Sequence, residues 1–106
     1  MVLSSRMVLY NITVIIEDKI QREWLEWMNN EFIPAVMNTG LFSSKRLLTV
    51  LGSPNEGITY CLQLIAENIG SFHDFKQHHE PAIMAAHASR FANSFVSFST
   101  LMEFVD

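Results

Sequence analysis

The chain has 106 residues, 49% of them hydrophobic and 17% charged, with a formal charge of −4. That length suits one small domain able to bury a core, and the composition is too apolar for a disordered chain. The acidic balance, with no basic run longer than Lys45-Arg46, excludes a nucleic-acid surface, which needs a basic patch to displace counterions.

Residues 7–16 alternate and predict a first strand. Val8, Tyr10, Ile12, Val14 and Ile16 fall on one face, and Leu9, Asn11, Thr13 and Ile15 on the other. Asn11 and Thr13 interrupt the apolar run, no small-residue cleavage site follows, and the stretch is too short to span a bilayer. Residues 1–6 are expected to be a flexible N-terminal extension and residues 7–106 a single domain. A lone Cys61 allows no internal disulfide and places the protein in the cytoplasm.

A helix follows, with Asp18 and Gln21 at capping-box spacing. Ile20, Trp24, Trp27, Met28 and Glu31 share one arc of it. Pro34 is expected to break or restart the helix, and Gly40 to stop it. Residues 41–51 predict a second strand, residues 53–57 (SPNEG) a hairpin loop, and residues 58–67 a third strand. The third strand puts Ile58, Tyr60, Leu62 and Leu64 on one face. Residues 71–90 predict a second helix kinked at Pro81, with a stripe of Phe72, Phe75, His79, Ala82, Ile83 and Ala86. Residues 94–105 close the chain as a fourth strand.

The order βαββαβ predicts an α+β fold: a ferredoxin-like sandwich, a four-stranded antiparallel sheet with two helices on one face, of the dimeric α+β barrel type. Two helices cover only one side of such a sheet. The other is expected to carry Leu9, Asn11, Thr13, Ile15, Thr59, Cys61, Gln63, Ile65, Ser97 and Ser99. That mixture is too apolar for a water-facing surface, so the open face predicts a homodimer.

Three of the four histidines lie within HHEPAIMAAH, residues 78–87. A helical metal pair needs ligands three or four residues apart. No pair among His73, His78, His79 and His87 has that spacing, so no metal site is assigned. His78 lies one turn after Asp74, a pairing that favours the charged imidazole. His79 and His87 are the candidates for an acid/base or ligand-contacting histidine. Trp24 and Trp27 are the candidates for an apolar pocket wall, and the two tryptophans and two histidines together form the predicted ligand-binding set for a small apolar molecule. Cys61 has no cationic neighbour in sequence, which argues against a reactive thiol. No Gly-rich phosphate loop or catalytic triad is legible, so no cofactor and no catalytic residue are assigned.

The stretches WLEWM, IPAVMNTGLF and FVSFSTLMEF, within a similarity that runs from Met7 to nearly the end of the chain, resemble a bacterial family known only as a domain of unknown function. The resemblance implies a ferredoxin-like fold and no activity. Members of that family commonly carry His before the Ile-Pro pair, where this chain has Phe32, so no catalytic residue is carried over. Two readings of function remain. One is a homodimeric module with no assignable activity. The other is an enzyme resembling the small dimeric-barrel monooxygenases, with an apolar substrate or haem pocket, or a related small-molecule-binding regulatory domain. An RNA-recognition domain is excluded by charge and by the aromatic SFVSF falling on strand four rather than strand three. A metal chaperone is excluded by the absence of paired cysteines near the first loop.

Overall fold

A computed structural model describes residues 6–53 and 56–105. Most of the predicted extension 1–6, and the turn residues Pro54 and Asn55, lie outside the described residues. Four strands form one antiparallel sheet in the order β2-β3-β1-β4: β1 is Val8–Ile16, β2 Ser44–Thr49, β3 Ile58–Ala66 and β4 Phe95–Glu103. This is the ferredoxin-like order. The two central strands, β1 and β3, carry the alternating apolar residues, and both crossovers pass over the same face.

That face holds the core. Val8, Tyr10, Ile12, Val14 and Ile16 of β1 and Tyr60, Leu62, Leu64 and Ala66 of β3 are all buried under the helices. Helix α1 (Gln21–Trp27) presents Trp24, and α3 (Ile69–His78) presents Phe72 and Phe75.

The first helical layer differs from expectation at its start and in its middle. A short 3-10 turn, Asp18–Ile20, precedes α1 with no side-chain cap at Glu17. The predicted capping box does not form, because the Gln21 amide reaches across to donate to Tyr60 Oη at 2.8 Å. Pro34 does sit in the first turn of a new helix, α2 (Ile33–Met37), but the chain never leaves the helical path. A π-helical turn, Met28–Phe32, joins α1 to α2, and the Ile33 N–H bonds to the Met28 carbonyl five residues back. In a regular α-helix Pro34 would lack its N–H and crowd the carbonyl of Asn30. The wider turn relieves that crowding. Gly40 ends the layer as expected, in the left-handed region at φ 74°.

The second layer is broken earlier than the sequence suggests. It begins at Ile69, where Asn68 caps α3 by accepting the Ser71 N–H at 2.9 Å. It breaks at His79 (φ −123°, ψ −41°) and resumes as α4 (Glu80–Arg90), with Pro81 in its first turn where a missing N–H costs nothing. The break resets the helical phase. The predicted stripe holds for Phe72 and Phe75 and, half-buried, for His79 and Ile83, but fails at Ala82 and Ala86. Ala82 and Ala86 are exposed, and α4 buries His87 instead.

The predicted open face also needs one correction. Ser97 and Ser99 pair opposite Val14 and Ile12, on the helix side. Strand β4 turns Val96, Phe98, Thr100 and Met102 outward. Alternation alone cannot choose between two such sets. The register with β1 chooses, setting Phe95 opposite Ile16 and against the core. The uncovered face is accordingly more apolar than expected.

Candidate functional site

Of the four predicted ligand-binding residues, the structure brings Trp24, Trp27 and His87 together. His79 lies apart from them, half-buried at the break before α4 with its ring stacked 6.4 Å from Phe75. Trp24 is fully buried and stacks on Tyr60 of β3 at 4.8 Å. Its indole Nε1–H donates to His87 Nε2 at 2.9 Å. His87, only 1% exposed, is ringed by Phe95 (4.3 Å between centroids), Phe91 (5.5 Å), Trp27 (5.8 Å) and Phe32 (5.8 Å).

This environment sets the state of the imidazole. A ring nitrogen that accepts a hydrogen bond cannot carry a proton, so the neutral tautomer places its proton on Nδ1. Burial among hydrocarbon rings lowers the His87 pKa to about 4. Nδ1 is buried without a hydrogen-bond partner. The group is therefore a neutral imidazole at physiological pH, with one N–H aimed at no acceptor among the described residues.

Outside this ring cluster, α4 and the turn of the first helical layer leave a groove of about 280 Å³, lined by Trp27, Glu31, Phe32, Ala35, Ala82, Ile83 and Ala86. It is the exposed small residues of α4 that open it. A larger cleft of about 520 Å³ lies at one end of the sheet, bounded by Glu17, Asp18, Glu56 and Phe95 among others. Among the described residues no group of three or more His, Cys, Asp or Glu could hold a metal ion, and no helix is long and apolar enough to cross a membrane.

The remaining histidines are peripheral. His78 Nε2 lies 3.9 Å from Asp74 Oδ1 on an exposed turn, and His73 is exposed beside Phe72. A polar cluster the sequence reading missed sits at the start of α4. The Tyr10 hydroxyl donates to Glu80 Oε2, Lys76 Nζ pairs with Glu80 Oε1 at 2.6 Å, and Lys76 also donates to Tyr10 Oη at 3.3 Å. The Lys76/Glu80 spacing of four residues was a legible signal; Tyr10, 70 residues away, was not. Burial, and then the hydrogen bond to Glu80, raise the Tyr10 pKa. The bond to Glu80 likewise raises that of Lys76.

The second candidate surface is the uncovered sheet. The strand register arranges it as rows that cross all four strands. Ser44, Ile65, Leu9 and Met102 form the first row. Arg46, Gln63, Asn11 and Thr100 form the next, and Leu48, Cys61, Thr13 and Phe98 the third. Val50, Thr59, Ile15 and Val96 complete it, Val50 donating to the Thr59 carbonyl at 2.9 Å. Phe98 and Val96 are 59% and 60% exposed, and Met102, Leu48 and Val50 all exceed 39%. Cys61 is half-buried there, its Sγ 3.6 Å from Thr13 Oγ1.

A sheet covered by helices on one face and bare and apolar on the other defines an α+β protein of the ferredoxin-like class, of the kind that builds dimeric α+β barrels. Within that class, residues 7–105 match DUF4286, a domain of unknown function, and the chain belongs to that family. No curated protein sequence matches it. Solved structures similar to it include a conserved protein of unknown function from Bacteroides thetaiotaomicron (TM-score 0.70, 10% identity, covering 95% of this chain and 100% of that one). A variant of SnoaB, a cofactor-independent oxygenase from Streptomyces nogalater, aligns with TM-score 0.68 and 13% identity over 95% of each chain. The hydroxynitrile lyase of Passiflora edulis aligns with TM-score 0.65 and 10% identity over 93% of this chain and 95% of that one. An oxygenase and a lyase thus share the architecture, which shows the fold and leaves the chemistry to each site.

Proposed function

We propose that this protein is a homodimeric ferredoxin-like module that assembles through its uncovered sheet face. One observation carries the reading: the exposed Leu48, Val50, Val96, Phe98 and Met102 lie on the face that no helix covers. Apolar side chains exposed in that number on one face are costly to leave in water. The lone Cys61, in no disulfide, supports a reducing, cytoplasmic setting. The test is the mass in solution of the wild type and of Phe98→Glu, with circular dichroism to confirm folding. The wild type is expected at twice the 12.1 kDa chain mass and the variant at the chain mass. A monomeric wild type overturns the proposal.

The groove beside Trp27 favours a second reading, a site for a small apolar ligand, because its lining is aromatic and aliphatic apart from Glu31. The haem version does not fit. His87 Nε2 is already bonded to Trp24, and the ring cluster is closed around both. Titration with naphthalene, read by Trp27 fluorescence and compared with Trp27→Phe, tests the apolar version. An unchanged Trp27 signal through saturation of the titration removes it.

A further inference from the structure

Resting on the dimer reading above, we infer that the two copies oppose their sheets about a two-fold axis parallel to the strands, so that the polar row of one copy lies on the polar row of the other. The argument begins with the row formed by Arg46, Gln63, Asn11 and Thr100. It is polar on all four strands, it holds the only charged residue among the four rows, and it lies off centre. One row flanks it on one side and two on the other. Arg46 Nε donates to Gln63 Oε1 at 2.8 Å, and Asn11 Nδ2 to Thr13 Oγ1 at 2.9 Å. Asn11 Oδ1 is buried without a partner.

A second copy is the occupant this face fits. Its four rows hold sixteen residues, and the alternation of β1 and β4 carries it on to Met7 and Phe104. That approaches the 20–30 residues a side of a standard interface. With a single charge and no carboxylate, the surface offers nothing to a highly charged partner.

Aligned sheet packing leaves two ways to relate the copies by a two-fold axis in the plane between them. An axis along the strands lays each row on its own copy and sets β2 opposite β4 of the partner copy, and β3 opposite β1. Arg46 then faces a threonine hydroxyl, Thr100. Gln63 faces Asn11, amide beside amide. An axis across the strands lays each strand on its own copy and reverses the rows. Arg46 then faces Leu48, and Thr100 faces Phe98, so polar groups are desolvated against apolar ones. Centring that axis on the polar row instead sets Arg46 against Arg46 and leaves the Val50–Val96 row uncovered. The axis along the strands sets the polar row on itself and Leu48, Val50, Val96 and Phe98 against one another; the polar groups it leaves on apolar ones are Ser44 against Met102 and Thr59 against Ile15, and no charged one.

Positions 46 and 100 make the test clean. They lie on opposite edges of the sheet, three strand spacings or about 14 Å apart, beyond reach of each other within one chain. Sedimentation equilibrium gives the dimer Kd of the wild type, Arg46→Gln, Thr100→Asp and the double variant, each checked for folding by circular dichroism. The expected result is a Kd about fivefold to tenfold tighter for Thr100→Asp, from two new symmetry-related ion pairs. The gain should be lost when Arg46→Gln is added. Thr100→Arg should weaken the dimer, and Arg46→Glu in the same chain should restore it. A dimer in which 46 and 100 show no coupling in either series overturns the axis and leaves the dimer standing. A wild type that is monomeric at every concentration overturns both.

Discussion

Replacing His87 with leucine should remove a specific acid sensitivity from this fold. In the native chain the imidazole is buried and its pKa is lowered to about 4, from 6.5 for an ordinary histidine. In the unfolded chain it titrates near that ordinary value. Between these two pH values the unfolded state binds a proton that the folded state does not, so stability falls as the pH falls. At about 1.4 kcal/mol per pKa unit the loss is about 3 kcal/mol between pH 6.5 and pH 4. The ring neighbours Trp24, Trp27, Phe32, Phe91 and Phe95 carry no charge that could offset it. At pH 7 His87→Leu should cost about 1 kcal/mol, because the Trp24 indole N–H loses its acceptor while an unpaired imidazole N–H disappears. Urea unfolding followed by tryptophan fluorescence at pH 7, 6, 5 and 4, at one fixed protein concentration, gives the difference between wild type and variant. Carboxylates titrating in this range are common to both proteins and cancel. The wild type should begin as the more stable and end as the less stable, with the difference moving by about 3 kcal/mol. Parallel stability curves would refute the assignment of a buried neutral imidazole.

The cluster at the start of α4 should fail from the alkaline side. The pKa values of Tyr10 and Lys76 are both raised, so their contributions are present below about pH 10 and are lost as the pH rises through the folded values. Tyr10→Phe should cost about 1–2 kcal/mol at pH 7 and flatten thermal stability between pH 9 and pH 11 (read by circular dichroism). Gly57→Ala should destabilise by on the order of 2 kcal/mol or more, since φ is +87° and an added Cβ would collide with the Ile16 carbonyl oxygen. Asn68→Ala should cost about 1 kcal/mol in urea unfolding, through loss of the α3 cap, with the denaturant slope unchanged.

How the site is built explains why only part of it could be read in advance. Trp24 and His87 are 63 residues apart, and their bond depends on the break at His79. On a straight helix through residues 71–90, His79 shares the buried stripe with Phe72 and Phe75. The break turns that phase, so His87 enters the core and Ala82 and Ala86 open a groove instead. The π-helical turn at Met28–Phe32 was hidden for a related reason. Proline forbids a regular hydrogen bond, but it does not say whether the chain will leave the helix or widen it.

Alternation over residues 7–16 and 58–66, a helical arc around Trp24, and turn residues at 53–57 determined the element order, and right-handed connections then leave one economical sheet order. These are local signals, because each concerns residues that are neighbours along the chain or within one helical turn. The outward face of β4, the closure of aromatic rings around His87 and the Tyr10–Glu80–Lys76 cluster were decided only by the tertiary structure. Each depends on register or helical phase, and both are fixed by what lies across the sheet or the core. A shift of one residue in β4, or of one residue (about 100° of helical phase) at His79, would leave local propensities almost untouched. It would still exchange what is buried for what is exposed.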